Sequence, residues 1–125
     1  MLDVITMGET MVAMTAENAG SIKYADRFSK HIAGAESNFA IGITRLGFNA
    51  GWISKVGDDP LGDFVEFSVR GEGVDVSELK RDSKRPTGLM VKEILSKDRA
   101  RVYYYRDNSA ASAIRASDIS ENYLK

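Results

Sequence analysis

One stretch of the chain limits its possible folds more than any other. The small residues Ala33-Gly34-Ala35 lead out of an extended segment and straight into a helix. Its apolar residues Phe39, Ala40, Ile43 and Leu46 recur at helical spacing, and Gly47 stops it. An extended run over 50–56 follows, closed by Gly57, and Asp59-Pro60 then opens a second helix with Asp as N-cap and Pro in the first position. Leu61, Phe64, Val65 and Val69 form its apolar face, and Gly71-Glu72-Gly73 ends it. Eight of the eleven glycines lie between Gly34 and Gly73, so the turns here are tight. Strand, helix, strand, helix with connections this short implies right-handed parallel βαβ units. The turn also leaves backbone amides at a helix start beside Gly34 and the side-chain amide of Asn38, which attracts oxygen-rich or anionic ligands.

The flanking segments read differently. Residues 2–7, centred on Val4 and Ile5, have the look of a buried, central parallel strand ending at Gly8. After a bend at Gly8-Glu9, residues 10–15 make a second strand. Over 22–32, Ile22, Tyr24, Phe28 and Ile32 alternate with polar neighbours, as in an exposed or half-covered strand. Residues 74–85 are polar and irregular with one short strand or turn. Residues 87–95 and 101–106 form a hairpin with a charged tip, and Ser117-Asp118 suggests another helix start. The expected architecture is a single domain: a doubly wound α/β core over about 1–9, 33–86 and 107–125, with a small antiparallel β-sheet lid from about 10–32 and 87–106.

Composition removes several functions. A net charge of −1 and no basic run among aromatics give no case for nucleic acid or an anionic membrane as partner. Cysteine is absent and His31 is the single histidine, which rules out disulfides, thiol catalysis and a Cys/His zinc site. No apolar run approaches membrane-spanning length, so a cytoplasmic protein is the simplest reading. Asp58 and Asp59 read as a helix cap rather than a metal pair, and His31 as a surface side chain. Gly-x-Gly-x-x-Gly is missing after the first strand, which argues against a dinucleotide site.

Several linked motifs carry a resemblance. Ala33-Gly34-Ala35-Glu36-Ser37-Asn38-Phe39-Ala40 with the later Gly47 and Gly57, then Val56-Gly57-Asp58-Asp59-Pro60-Leu61-Gly62, then Gly73-Val74-Asp75-Val76, resemble ribokinase-like (PfkB) carbohydrate kinases along essentially the whole chain. The resemblance implies an α/β core with a β lid, ATP as phosphoryl donor, Mg²⁺, and a sugar hydroxyl as acceptor. Met7-Gly8-Glu9-Thr10-Met11-Val12-Ala13-Met14 and Tyr103-Tyr104-Tyr105-Arg106 are most similar to the 2-keto-3-deoxygluconate kinases of that family. Ribokinases and fructokinases usually place a sugar-binding Asp where this chain has Ala13. Loss of a carboxylate there, with Arg106 nearby, favours an acidic sugar, because a guanidinium fork matches a carboxylate.

The substrate-binding candidates are Gly34, Asn38, Tyr104 and Arg106, with Gly8, Glu9 and Met90 as weaker candidates for the pocket wall. Tyr104 and Arg106 share one strand face; Tyr103 and Tyr105 share the other, where Tyr105 is expected to pack. The family's catalytic Asp sits in a Gly-x-Gly-Asp motif, which this chain lacks. The chain is therefore expected to be the N-terminal part of one domain, stopped after the lid, inactive alone and not fully binding ATP or Mg²⁺. Apolar faces meant for the remainder would then be exposed. Family lids often pair between subunits, so Tyr24, Phe28 and Tyr103 suggest a homo-oligomer formed through the lid. Two other readings stand beside the sugar-acid kinase: a kinase for a neutral sugar or nucleoside, and a non-catalytic lid module that self-associates.

Overall fold

The computed structural model describes residues 1–125. In chain order its elements are β1 (Val4–Met7), β2 (Met11–Ala16), β3 (Phe28–Ala33), α1 (Ala35–Arg45), β4 (Ala50–Gly57), α2 (Pro60–Gly71), β5 (Leu79–Asp82), β6 (Leu89–Ser96) and β7 (Arg99–Tyr105), with single 3₁₀ turns at Ile22–Tyr24, Ala111–Ala113 and Ala116–Asp118.

The strands form two sheets. The first has the order β1-β4-β5, with both pairings parallel. The path from β1 to β4 and the path from β4 to β5 each move one strand over in the same direction. Right-handed crossovers then put α1 and α2 on the same face. Trp52 and Val56 of β4 meet Ala40 of α1 and Val65 and Val69 of α2 there, in one buried cluster that also takes in Val12 of β2. This corrects the doubly wound expectation, because the opposite face of β4 carries no helix. It meets the C-terminal segment instead: Tyr123 lies against Gly51, and Lys55 pairs with Asp118 at 3.4 Å. β1 is a half-buried edge rather than a buried centre, since β4 takes the middle position.

The second sheet, the lid, has the order β3-β2-β6-β7. β2 pairs antiparallel with β3 and β6 antiparallel with β7, but β2 and β6 run parallel. The lid is therefore mixed rather than antiparallel. Its two hairpins both leave the core at the same edge, so their adjoining strands start from the same end. The hairpin expected over 87–106 is present. The long strand expected over 22–32 is not: it divides into a 3₁₀ turn and β3. Ser21 Oγ accepts from the Lys23 amide, and the Ile22 amide donates to buried Glu93 at 3.0 Å, which holds the turn out of the β ladder.

Both helix starts and stops fall as expected. Asp59 Oδ1 accepts from the Gly62 amide at 2.7 Å, and Gly47 takes a left-handed φ of +93° after α1. The apolar face of α1 is turned, however: Ser37 and Ala40 are buried, while Phe39 and Leu46 are 56% and 73% exposed. The buried Thr10 hydroxyl donates to Ser37 Oγ at 2.6 Å, which sets the rotation of the helix and sends Phe39 outward. The helix expected at Ser117-Asp118 is limited to the turn Ala116–Asp118.

Candidate functional site

The lid joins the core at four places, and the predicted site residues sit at or beside them. At the junction of β3 and α1, Gly34 is the N-cap of α1 and no side chain caps the helix, so its first amides have no side-chain partner. The backbone of Gly34 is extended, with φ −171°, a conformation open to any residue. Glycine is required by proximity instead. A Cβ at 34 would lie 2.4 Å from Thr10 Oγ1, 2.8 Å from the Glu9 carbonyl and 2.9 Å from Ser37 Oγ. This close approach brings the β1–β2 junction against the start of α1. Gly8, one residue earlier, leaves room for the Glu36 carboxyl and accepts the indole N–H of Trp52 through its carbonyl at 3.2 Å.

Glu9 connects this turn to the far end of the lid. Its side chain is 9% exposed and its Oε1 pairs with Arg106 Nε at 2.8 Å. Its Oε2 accepts from the hydroxyl of buried Ser109 at 2.5 Å. Gly88, where β6 begins, makes room for the carboxylate, since a Cβ there would lie 2.5 Å from Oε2. The Arg106 side chain stays 49% exposed, and no second acidic residue pairs with its guanidinium.

The lid strands supply a row of side chains. Ala13 is in register with Met90, and Met90 with Tyr104. Directly paired residues point to the same side of a sheet. The alternate residues Val12, Met14, Ile32 and Leu89 pack on the core cluster, so the row Ala13-Met90-Tyr104 lies on the opposite side. Ala13 is fully buried, Met90 half-buried and Tyr104 59% exposed. Tyr103 and Tyr105 fall on the core side, but Tyr105 is 62% exposed, contrary to the packing expected of it. At the edge strand β7 the sheet extends past the core, and it is Tyr103 that is held, its hydroxyl donating to Glu93 at 3.1 Å.

Asn38 lies elsewhere. It is exposed on α1 and lines a groove of about 500 Å³ with Lys30, Ile32, Ile41 and Phe64, between the core side of β3 and the two helices. The structure thus joins Gly34, Glu9 and Arg106 through contacts, sets Met90 and Tyr104 in one row, and leaves Asn38 on the groove side of α1. The sequence does not mark Ser109, and it places Glu9 only at the pocket wall. Their contact spans 100 residues, and a lone serine in a small-residue stretch carries no sequence signal for it.

At the junction before β6, Asp59 ties α2 to the start of that strand. Its carboxylate accepts from the Thr87 hydroxyl at 2.9 Å and the Thr87 amide at 3.1 Å, in addition to Gly62. Burial pushes this carboxyl up, but these donors outweigh it and hold it below the usual carboxylate range. Asp59 is therefore a cap and anchor. No three acidic or histidine side chains converge in the chain.

The geometry can be set beside known proteins. A 2-dehydro-3-deoxygluconokinase of Bacillus subtilis is 44% identical over 125 residues, covering 99% of this chain and 39% of the relative. One of Thermoproteus tenax is 35% identical, with the same coverage of each. The crystal structure of a PfkB protein from Polaromonas sp. JS666 superposes with a TM-score of 0.95 at 40% identity, over 99% of this chain and 42% of that one. A sugar kinase from Pyrococcus horikoshii in complex with ATP gives a TM-score of 0.89 at 30% identity, over 97% and 39%. The chain spans about two fifths of the length of the curated relatives it matches. The family model for pfkB family carbohydrate kinases matches residues 1–125, and the two-sheet architecture is the ribokinase-like fold of these neighbours: the chain belongs to the pfkB carbohydrate kinase family.

Proposed function

We propose that the whole protein is an ATP-dependent kinase that phosphorylates a hydroxyl of a sugar acid, 2-keto-3-deoxygluconate, and that residues 1–125 form the lid and acceptor-sugar side of a single catalytic domain. The observation that carries this reading is Arg106, half exposed at the end of the lid, held at Nε by Glu9 and otherwise free of acidic partners. A guanidinium so held presents its outer two nitrogens as a fork for a carboxylate. Ala13 supports the same reading. An Asp at this buried position of the Met90–Tyr104 row would repel an acidic sugar, and alanine does not. In this arrangement Tyr104 and the Gly34 backbone orient the sugar hydroxyls and Gly8 and Met90 form the wall, while Asn38, on the groove side of α1, takes no part in that row. Closure of the lid on the core excludes water and holds the acceptor for in-line attack.

ATP supplies the phosphoryl group in such a kinase, and its binding residues, the Mg²⁺ ligands and the catalytic base are assigned to parts of the protein outside residues 1–125, which lack Gly-x-Gly-Asp. The 125-residue chain alone is accordingly inactive; ATP turnover with a sugar acid by that purified chain would overturn this. No helix is long and apolar enough to cross a membrane. In the full-length protein, Arg106→Leu should raise KM for the sugar acid by about ten-fold or more, the loss of one charge-assisted pair, with kcat little changed. An unchanged KM removes Arg106 from the site. A panel of neutral sugars on the same enzyme tests the alternative substrate class.

Of the lid aromatics expected to need covering, Tyr24 and Phe28 are exposed and support self-association through this sheet, whereas Tyr103 is half-buried and bonded to Glu93, and Tyr105 is exposed beside it. Light scattering of Phe28→Ser and Tyr105→Ser variants checks it, and an unchanged molar mass in both excludes the lid as the interface.

A further inference from the structure

We propose that Glu9 is a positioning residue for the acceptor: it fixes which edge of Arg106 faces the substrate and thereby sets the preference for an acidic over a neutral sugar. The inference rests on the sugar-acid reading above. An arginine has two edges that accept a carboxylate, a side edge formed by Nε with one terminal nitrogen and an end edge formed by the two terminal nitrogens. Glu9 Oε1 occupies Nε at 2.8 Å, so the end edge remains for a ligand. Glu9 is itself fixed. Its second oxygen is held by Ser109, which is fully buried, and Gly88 leaves space for the carboxylate that no other residue would leave. The same carboxylate touches groups at three of the four lid–core junctions: its own between β1 and β2, Gly88 before β6, and Arg106 with Ser109 after β7. Its position therefore follows that of the lid, and a guanidinium locked to it is aimed only when those junctions are in place.

The electrostatic alternative makes the opposite prediction. A carboxylate beside Arg106 lowers the local positive charge, so if net charge alone governed binding, removing it would tighten the hold on an acid. If orientation governs, removal weakens it. In the full-length protein, Glu9→Ala should raise KM for the sugar acid about ten-fold with kcat within about two-fold, and leave KM unchanged for a neutral analogue with CH₂OH in place of the carboxylate. Glu9→Gln, whose carbonyl still accepts from Nε, should recover most of the loss. Glu9→Asp, which keeps the charge but is one methylene too short to span Ser109 and Arg106, should not. A lower KM for the acid in Glu9→Ala, equal losses for acid and neutral sugars, or full recovery by Asp each overturn the proposal. Should Glu9→Ala fail to fold, Asp against Gln decides by the same criterion. Arg106→Leu is measured alongside. If it abolishes acid preference while Glu9→Ala does not alter it, Glu9 has no positioning role and the sugar-acid reading stands. If Arg106→Leu leaves acid preference intact, Arg106 does not read the carboxylate and this inference fails with it, whereas a parent enzyme with no preference for the acid is the outcome that sinks the sugar-acid reading.

Discussion

Asp59→Ala removes one acceptor from three donors at once. The Gly62 amide loses its helix cap, worth about 1 kcal/mol at such positions. The Thr87 amide and hydroxyl, on a residue 5% exposed, lose the carboxylate that both address. The hydroxyl can turn elsewhere, but the amide cannot, and a buried amide without a partner costs about 1–3 kcal/mol. The sum is about 2–4 kcal/mol, towards the lower end because the Asp59 side chain is partly open to water. Asp59→Asn keeps the cap but turns an NH₂ group towards donors, so about half that loss is expected. Urea unfolding of the 125-residue chain measures both, with an unchanged m-value as the sign that stability alone has changed. Thr87→Val in combination with Asp59→Ala should lose less than the sum of the single changes, by about 1 kcal/mol or more, because the two residues address each other. Asp58, exposed and one residue away, is the control: Asp58→Ala should fall within about 0.5 kcal/mol of the parent. An Asp59→Ala loss no larger than that of Asp58→Ala, or strict additivity with Thr87→Val, would refute the anchor.

Acid should weaken the fold in a defined window. Asp75, bonded by Ser77 and Tyr123, and Asp59 both have carboxyls held below their ordinary value in the folded state. The unfolded chain therefore takes up protons first, and the stability these groups contribute is complete above about pH 5 and falls as pH drops through 4 and below. Melting temperatures measured from pH 7 to 3 should show that fall, reduced in Asp59→Asn; a flat profile contradicts it. Gly34→Ala and Gly8→Ala should differ in melting temperature. The first drives a methyl into the Glu9 carbonyl and Thr10, costing about 1–3 kcal/mol, whereas the second meets only the mobile end of Glu36 and should be nearly neutral. Equal effects would show that proximity is not what requires glycine at 34.

Much of the fold is legible because its signals are local. The Asp59-Pro60 start of α2, the Gly47 stop of α1 and the charged hairpin tip after β6 each depend on the conformational preferences of a few neighbouring residues. The order of motifs around Gly34 is local as well, and it carries the family. What the sequence left open are relations between distant segments. Phe39 sits at good helical spacing, yet it faces water because Thr10 engages Ser37 and sets the rotation of the helix. The parallel pairing of β2 with β6 depends on where two separate hairpins leave the core, which no window of either hairpin contains. Tyr105 has the alternation of a packed residue, but β7 is the edge strand and extends past the core it would pack on.

The site divides along the same line. Residue types decide that an arginine is available on the lid, that a carboxylate is missing at Ala13, and that a glycine turn opens a helix. Tertiary structure alone decides that Arg106 is held by Glu9, that Ser109 holds Glu9 in turn across 100 residues, and that Asn38 lies on the groove side of α1. Direction and distance determine what a charged group does, and both are set by which strands the chain brings together.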